Sequence, residues 1–204
     1  MTKHTTASSC SSETRDRTPR PGPGRPRAFD EDQVLDAALQ VFWTNGFEAT
    51  SLDDLTSAMG LSRSSFYAAF GSKQGVLMAV LRNYSASALR QLDELTRLPR
   101  EEAPMAMLEA ISLPKEGPRG CMLVNCIAEL APHHAEVAEI GRTHLQRIED
   151  LFAKALDPQD PERARDKARA LSALAIGTLT LRKSGLPPDQ IAHALAAARG
   201  IVAP

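Results

Sequence analysis

Glycine and serine residues divide the stretch from residue 30 to residue 75 into short segments of helical character. Within each segment, apolar residues recur every three or four positions, which is typical of one buried face of an α-helix. Gly46 and Gly60 follow two of these segments, where glycine favours a helix end. Ser51 and Ser62 precede the next two, where a side-chain oxygen can cap a helix start. The spacing therefore predicts three helices in succession, the last two joined by a turn of about three residues.

A short capped helix, a tight turn that contains glycine and a second short helix are typical of the helix-turn-helix. In that motif the second helix enters the major groove of DNA and its N-terminal residues approach the base edges. Those residues here are Ser62, Arg63, Ser64 and Ser65. Arg63 is the side chain that can donate two hydrogen bonds to a guanine edge. The same pattern also fits a plain three-helix packing unit with exposed serines.

The rest of the chain is also predicted to be helical, so the fold class is all-α. Aromatic residues make up 4% of the sequence, and no useful strand-like alternation occurs. Pro99 and Pro104 mark a loosened junction after a long helix that begins near Lys73. We predict a basic arm at 1–29, a helix-turn-helix domain at 30–75 and a helical ligand-binding and dimerisation domain at 76–204. Besides the short helix between Ser51 and Gly60, the predicted helices are at 30–45, 63–70, 73–95, 104–112, 119–131, 135–156, 162–183 and 188–201.

Charge is distributed unevenly along the 204 residues. The net charge is −1, which taken alone argues against a nucleic-acid partner. However, residues 1–29 carry +4, residues 30–75 carry −5, and the remainder is balanced. The arm is rich in Ser, Thr, Pro, Gly and Arg, so we expect it to be disordered. Its Arg25 and Arg27 are candidates for minor-groove contacts, although a solvating tail or linker has similar composition.

The segment Val34–Leu77 resembles the N-terminal DNA-binding domain of TetR-family transcriptional regulators. The resemblance covers about 45 residues and includes a basic arm just upstream. At Leu55-Thr56 the sequence departs from the family, which more often has Ile-Ala there. The matching positions are Ala37, Ala38, Phe42, Gly46, Phe47, Thr50, Ser51, Leu55, Ala58, Gly60, Ser62, Phe66, Tyr67, Phe70, Ser72, Lys73 and Leu77.

The resemblance implies individual roles in DNA binding. Ser51 corresponds to a phosphate contact at a helix start, and Lys73 to a lysine that neutralises a phosphate. Tyr67 corresponds to a tyrosine whose hydroxyl reaches the DNA backbone, although packing beside Phe66 is an alternative. Such contacts position the protein, whereas Arg63 and the neighbouring serines would specify the sequence.

The last two predicted helices are candidates for a dimer interface. One helix-turn-helix reads only a few base pairs, so a useful DNA site requires two copies. The resemblance implies a four-helix bundle between two protomers. Small residues Ala173 and Gly177 would permit close approach, although each apolar stripe could instead be intramolecular core. The stripes are Leu171, Leu174, Ala175, Thr178 and Leu181, then Ile191, Leu195, Ala198 and Val202.

A polar pair on an apolar helix makes the second half a candidate ligand-binding domain. Asn125 and Glu129 are four residues apart and therefore share a helical face. Buried polar groups are costly unless they are paired, so this face can line a cavity or form structural hydrogen bonds. Cys126 lies on the same helix, and Met105, Met107 and Met122 would supply a compliant lining.

Several other classes of protein and site are disfavoured. The longest uncharged stretch of the hydrophobic region, 170–181, is too short to cross a membrane, and no signal peptide is present, so we expect a cytoplasmic protein. Cys121, Cys126, His133 and His134 fit no standard zinc spacing. Cys121 and Cys126 lie on different helical faces, too far around for a disulfide. No catalytic or cofactor motif occurs.

These features together predict a homodimeric, sequence-specific DNA-binding regulator. It would bind a double-stranded operator and be a repressor released by a small-molecule effector, without a cofactor, a metal or a membrane. One alternative is an architectural DNA-binding dimer without a ligand. Another is a small-molecule enzyme or carrier in which the helix-turn-helix is vestigial.

Overall fold

A computed structural model describes residue 1 and residues 30–113 and 119–202 of the chain. All regular structure in these ranges is helical, which confirms the all-α prediction. A 3₁₀ turn, Pro161–Ala164, precedes α8. The helices are α1 (Glu31–Asn45), α2 (Leu52–Met59), α3 (Arg63–Phe70), α4 (Lys73–Leu95), α5 (Ala103–Ser112), α6 (Met122–Leu130), α7 (Ala135–Leu156), α8 (Arg165–Lys183), α9 (Pro188–Ala197) and α10 (Arg199–Val202).

Side-chain caps explain where the first helices begin and end. The Asp30 carboxylate accepts a hydrogen bond from the Asp32 amide at 3.0 Å and caps α1. Ser51 caps α2 and Ser62 caps α3, as the sequence predicts. Gly60 ends α2 with φ +64°, a left-handed conformation that glycine adopts without strain.

The boundaries of three later helices differ from the prediction. The helix expected from residue 119 begins at Met122, because Gly120 has φ +75° and Cys121 is extended. The helix expected from residue 162 begins as the 3₁₀ turn and becomes α-helical at Arg165. The last helix is interrupted at Ala198, which separates α9 from α10.

Two clusters of buried apolar side chains hold the helices together. The first joins α1–α3 to the N-terminal half of α4, to α6 and to the start of α7. The second joins the C-terminal end of α4 to α5, the rest of α7, and α8–α10. Helix α4 contributes Val76–Leu81 to the first cluster and Leu92 to the second, so one continuous helix belongs to both.

The residues predicted to form the dimer face are largely intramolecular core. Ala175 and Thr178 on α8 are at most 1% exposed within the single chain, as is Ile191 on α9. Leu171, Leu195 and Ala198 are buried with them. This corrects the assignment: the apolar stripes of α8 and α9 face α5 and α7 of the same chain.

Three residues of α8 that the sequence also places at the dimer interface are exposed to solvent. Ala173 and Gly177 are exposed, and Leu181 is 45% exposed. No atom of the described chain lies within 4 Å of the place that a Cβ on Gly177 would occupy. These three residues, spaced four apart, are called the α8 stripe below.

Within the described ranges, we find no helix that combines the length and the apolar character needed to cross a bilayer.

Candidate DNA-reading surface and ligand cavity

The exposed surface of α3 carries the residues predicted to read DNA. Ser62, Ser64 and Ser65 at its start are exposed. Tyr67 is 52% exposed, whereas Phe66 is fully buried and packs edge-to-face with the Tyr67 ring, with centroids 5.6 Å apart. Tyr67 therefore does not belong to the core, and it is exposed on the helix that the sequence assigns to DNA reading.

The Ser62 hydroxyl organises the start of α3. It accepts a hydrogen bond from the Ser65 amide at 3.1 Å and donates one to the Ser65 hydroxyl at 2.9 Å. The Ser64 hydroxyl lies 2.9 Å from the same oxygen. The three serine side chains thus form one local hydrogen-bond network at the start of α3.

Arg63 forms an ion pair with α2. One Arg63 Nη lies 2.6 Å from the Asp53 carboxylate, and both side chains are well exposed. The hydrogen bond to Asp53 raises the pKa of Arg63 above its already high ordinary value. Sequence reasoning missed Asp53 as a partner, because the two residues are ten positions apart and on different helices.

Ser51 and Asp54 satisfy each other at the start of α2. The Ser51 hydroxyl accepts from the Asp54 amide at 3.1 Å and donates to the Asp54 carboxylate at 2.7 Å. The Ser51 amide donates to the same carboxylate at 2.9 Å, completing a capping box. These hydrogen bonds lower the pKa of Asp54, which keeps a negative charge beside the predicted phosphate contact.

Lys73 braces the loop between α1 and α2. Its ammonium donates to the carbonyl oxygens of Phe47 at 2.9 Å and Thr50 at 3.0 Å. The same nitrogen lies 4.3 Å from the centre of the Phe47 ring. Lys73 thereby holds the segment that leads into Ser51, a role that the sequence did not predict. Its contact with phosphate stays a prediction.

Thr56, where the family more often has alanine, fits in the fold with its hydroxyl group hydrogen-bonded. Its side chain is buried, and its hydroxyl donates to the Leu52 carbonyl at 3.0 Å. Arg25 and Arg27 of the basic arm lie outside the described residues, so their predicted contacts stay predictions.

A cavity of about 570 Å³ lies between α1 and the C-terminal helices. Its size falls in the range of small-molecule sites. Helix α1 contributes Leu39 and Trp43, α4 contributes Asn83 and Tyr84, and α7 contributes His144. Sequence reasoning missed these residues, because periodicity identifies inward faces but not gaps between them.

An aromatic and cationic group forms one wall of this large cavity. The Trp43 and Tyr84 rings meet edge-to-face with centroids 5.6 Å apart. The Arg119 guanidinium lies 4.5 Å from the centre of the Trp43 ring and donates to Gln40 Oε1 at 2.9 Å. The Tyr84 hydroxyl donates to Cys121 Sγ at 3.5 Å.

His144 is a buried and neutral part of the cavity lining. Burial lowers its pKa to about 4, so the imidazole is uncharged at neutral pH. Its Nδ1 lies 2.8 Å from the Ser85 hydroxyl, which fixes the orientation of the ring.

Four of the six residues predicted to line a ligand site border a second, smaller cavity of about 400 Å³. These are Met122, Asn125, Cys126 and Glu129, which face the end of α1 and Lys183. The polar atoms of Asn125 have structural partners, because Oδ1 accepts from Lys183 and Nδ2 donates to the Arg119 carbonyl, each at 3.0 Å.

Met105 and Met107 are corrections to the sequence prediction. Both are buried in the second cluster and line neither of the two cavities, because α5 turns their side chains toward its neighbouring helices. Cys126 is also a core residue: burial raises the pKa of its thiol to about 12, which keeps it protonated and unreactive.

Comparison with known proteins agrees with this arrangement. The sequence profile of the family described as "Bacterial regulatory proteins, tetR family" matches residues 34–80. The chain is 32% identical over 143 residues to the uncharacterized HTH-type transcriptional regulator YezE of Bacillus subtilis, covering 65% of this chain and 71% of YezE. It is also 32% identical over 121 residues to the HTH-type transcriptional repressor ComR of Escherichia coli, covering 56% of this chain and 58% of ComR.

A solved structure extends the similarity over most of the fold. The TetR-family regulator CifR, as a cysteine mutant with 26-bp double-strand operator DNA, superposes with a TM-score of 0.73. The identity is 26%, and the match covers 86% of this chain and 98% of CifR. These relatives are transcriptional regulators and not enzymes. With its helix-turn-helix surface and its similarity to YezE, the chain belongs to the tetR family of DNA-binding bacterial transcriptional regulators.

Proposed function

We propose that this protein represses transcription by binding an operator as a homodimer, and that a small molecule in the large cavity releases it. The observation that carries the proposal is the position of α1. This helix packs against α2 and α4 in the helix-turn-helix region and also forms a wall of the large cavity. A ligand there touches the DNA-binding unit directly.

The coupling follows from geometry. A ligand that contacts α1 on one side and α7 or α8 on the other favours one separation of those helices over others. A change in the orientation of α3 in each protomer moves two recognition helices relative to half-sites about 34–36 Å apart. The ligand shifts the equilibrium only by its difference in affinity for the two arrangements.

The α8 stripe is the surface we assign to the second copy. Its small side chains allow close helix packing, and Leu181 supplies exposed apolar area that a partner would cover. Two copies are needed because one recognition helix reads too few base pairs for a selective site.

A mobility-shift assay tests DNA binding and its specificity. The DNA that flanks this protein's own gene should bind more tightly than random DNA, with a steep decline in affinity as salt rises. Equal binding to both would contradict a regulator and would favour an architectural protein. Replacing Arg25 and Arg27 by alanine should weaken binding, whereas deletion of residues 1–23 should have little effect.

Sedimentation tests the interface. Gly177→Glu places a charge on the α8 stripe without straining the protomer, since the Cβ position is open. It should weaken dimerisation by roughly tenfold or more, because the charge would be buried at the interface. Thr143→Glu, at an exposed position of α7, is the matched control and should leave the dimer intact. Unchanged dimerisation in Gly177→Glu would move the interface elsewhere.

A further inference from the structure

Trp43 has a polar atom that the fold leaves unsatisfied. The indole is a hydrogen-bond donor only, and its Nε1 is buried without a partner among the described residues. A buried donor without an acceptor costs free energy, and native structures rarely keep one without a reason. Trp43 borders both cavities, and a molecule bound in the large one can supply the acceptor.

The surroundings hold the Trp43 ring in place. Its edge-to-face contact with Tyr84 and the Arg119 guanidinium over its face fix the plane of the indole. The donor direction is therefore set before a ligand binds, which reduces the entropy lost on binding.

The charge of the lining indicates an uncharged ligand. Asp36 and Arg119 are the formally charged residues among those described around the cavity, so this part of the lining has no net formal charge. Asp36 is exposed, and the Arg119 guanidinium already contacts Gln40 and Trp43. His144 is neutral. Among the described lining residues, a charged ligand would lose its hydration and meet no buried acid and only one cation, Arg119, whose guanidinium is already in contact with Gln40 and Trp43.

The apolar part of the lining indicates the shape of the ligand body. Aliphatic side chains from five helices line the cavity, among them Leu39, Leu92, Ile111, Ile148 and Leu179. Such a lining favours a compact apolar or aromatic body over an extended polar one.

We propose that the large cavity binds an uncharged organic molecule with an apolar ring body and a carbonyl-type acceptor, which takes the hydrogen bond of Trp43 Nε1. The inference rests on the proposed function, since it specifies the class of effector that the regulator would detect. It also makes Trp43 the residue of α1 that forms the directional contact between the ligand and the DNA-binding unit.

Three probes of the same ring body test the proposal on the full chain without DNA. Calorimetry compares acetophenone, which has a neutral acceptor, ethylbenzene, which has none, and benzoate, which is charged. The wild-type protein should bind acetophenone roughly threefold to tenfold more tightly than ethylbenzene, the range expected of one neutral hydrogen bond. Benzoate should bind most weakly.

Trp43→Phe supplies the matched variant, because it keeps an aromatic ring and removes the donor. In a variant with wild-type circular dichroism, acetophenone and ethylbenzene should bind with equal affinity. Ala88→Leu, which fills part of the large cavity and leaves the smaller one untouched, should weaken all three probes. If Trp43→Phe does not fold, Ala88→Leu still tests whether the probes bind in the large cavity.

Several outcomes would overturn the inference. These are tightest binding of benzoate, an acetophenone preference that survives in Trp43→Phe, wild-type affinity in Ala88→Leu, or no binding of any probe. Specific operator binding, measured without a probe, does not depend on any of these outcomes. If the protein binds its operator but does not prefer acetophenone, only this inference is wrong. If it prefers acetophenone but does not bind an operator, the repressor proposal is wrong.

Discussion

The Arg63 guanidinium and the Asp53 carboxylate meet at 2.6 Å, across the two helices of the helix-turn-helix and on its exposed surface. Arg63 is the residue that we expect to grip a guanine edge, so in the free protein it is held by an acid that DNA must displace. A DNA site therefore binds Arg63 only if its contact with the guanidinium is more favourable than the ion pair with Asp53.

Asp53→Asn should raise affinity for operator and random DNA alike, because it releases Arg63 and removes a negative charge near the phosphates. Arg63→Ala should instead reduce discrimination at one base pair of each half-site by roughly tenfold, with a smaller effect on random DNA. Competition mobility shifts with single-base operator variants measure both effects. Uniform weakening of all sequences by Arg63→Ala would make it a phosphate contact.

Lys73→Met should destabilise the protein by about 1–3 kcal/mol, because it leaves the Phe47 and Thr50 carbonyls without their charged donor. Denaturant unfolding measures this loss. Lys154→Met is the control, since Lys154 forms an exposed pair with Asp93 and should matter little.

Lys73→Met should also weaken binding to every DNA sequence alike. If the ammonium reaches a phosphate when DNA is bound, the slope of log affinity against log salt falls by about one. An unchanged slope would leave Lys73 with the bracing role alone.

His144 should make stability depend on pH. Its pKa is about 4 in the folded protein against an ordinary value of 6.5, so between these values the unfolded chain binds more protons. Stability is therefore retained above pH 6.5 and lost as the pH falls toward 4, by at most about 3 kcal/mol. The difference in unfolding free energy between wild type and His144→Asn, measured from pH 7.5 to 4, should shrink across this window. Parallel curves would contradict the burial of a neutral imidazole.

Gly141→Ala should destabilise the contact between α6 and α7. A Cβ at this position would lie 2.6 Å from Ile127 Cγ1, which is too close for two carbon atoms. The strain should exceed the gain of about 1 kcal/mol in helix propensity, for a net cost of roughly 1–2 kcal/mol. In an Ile127→Ala background the cost should disappear, which a double-mutant cycle measures by thermal unfolding. A cost that persists there would place the strain elsewhere.

The local structure of the DNA-reading region could be predicted because its signals lie close together in sequence. Ser51, Gly60 and Ser62 form hydrogen bonds with residues within four positions, so their capping role can be predicted from the local sequence. The partners of Arg63 and Lys73 are ten to 26 residues away and depend on how helices cross. Periodicity carries no information about that geometry.

The ligand region was harder to predict for a related reason. Asn125 and Glu129 were identified as polar residues on an apolar helix, and they do line a cavity, but the smaller one. Helix α1 forms one wall of the larger cavity, together with Arg119, which is 79 residues later in the sequence than its partner Gln40. The apolar stripes of α8 and α9 were assigned to a dimer, although a face buried in one chain and a face buried between two have the same sequence pattern.

Helix α4 passes without interruption from one apolar cluster to the other. At about 1.5 Å per residue, its 23 residues extend roughly 35 Å. Loss of either cluster would remove the packing from one end of α4 and leave the helix held by the other cluster alone, so each cluster is less stable without the other. Heat or denaturant should therefore unfold the described helices in one cooperative transition, with the same midpoint whether Trp43 emission or total helix content is followed.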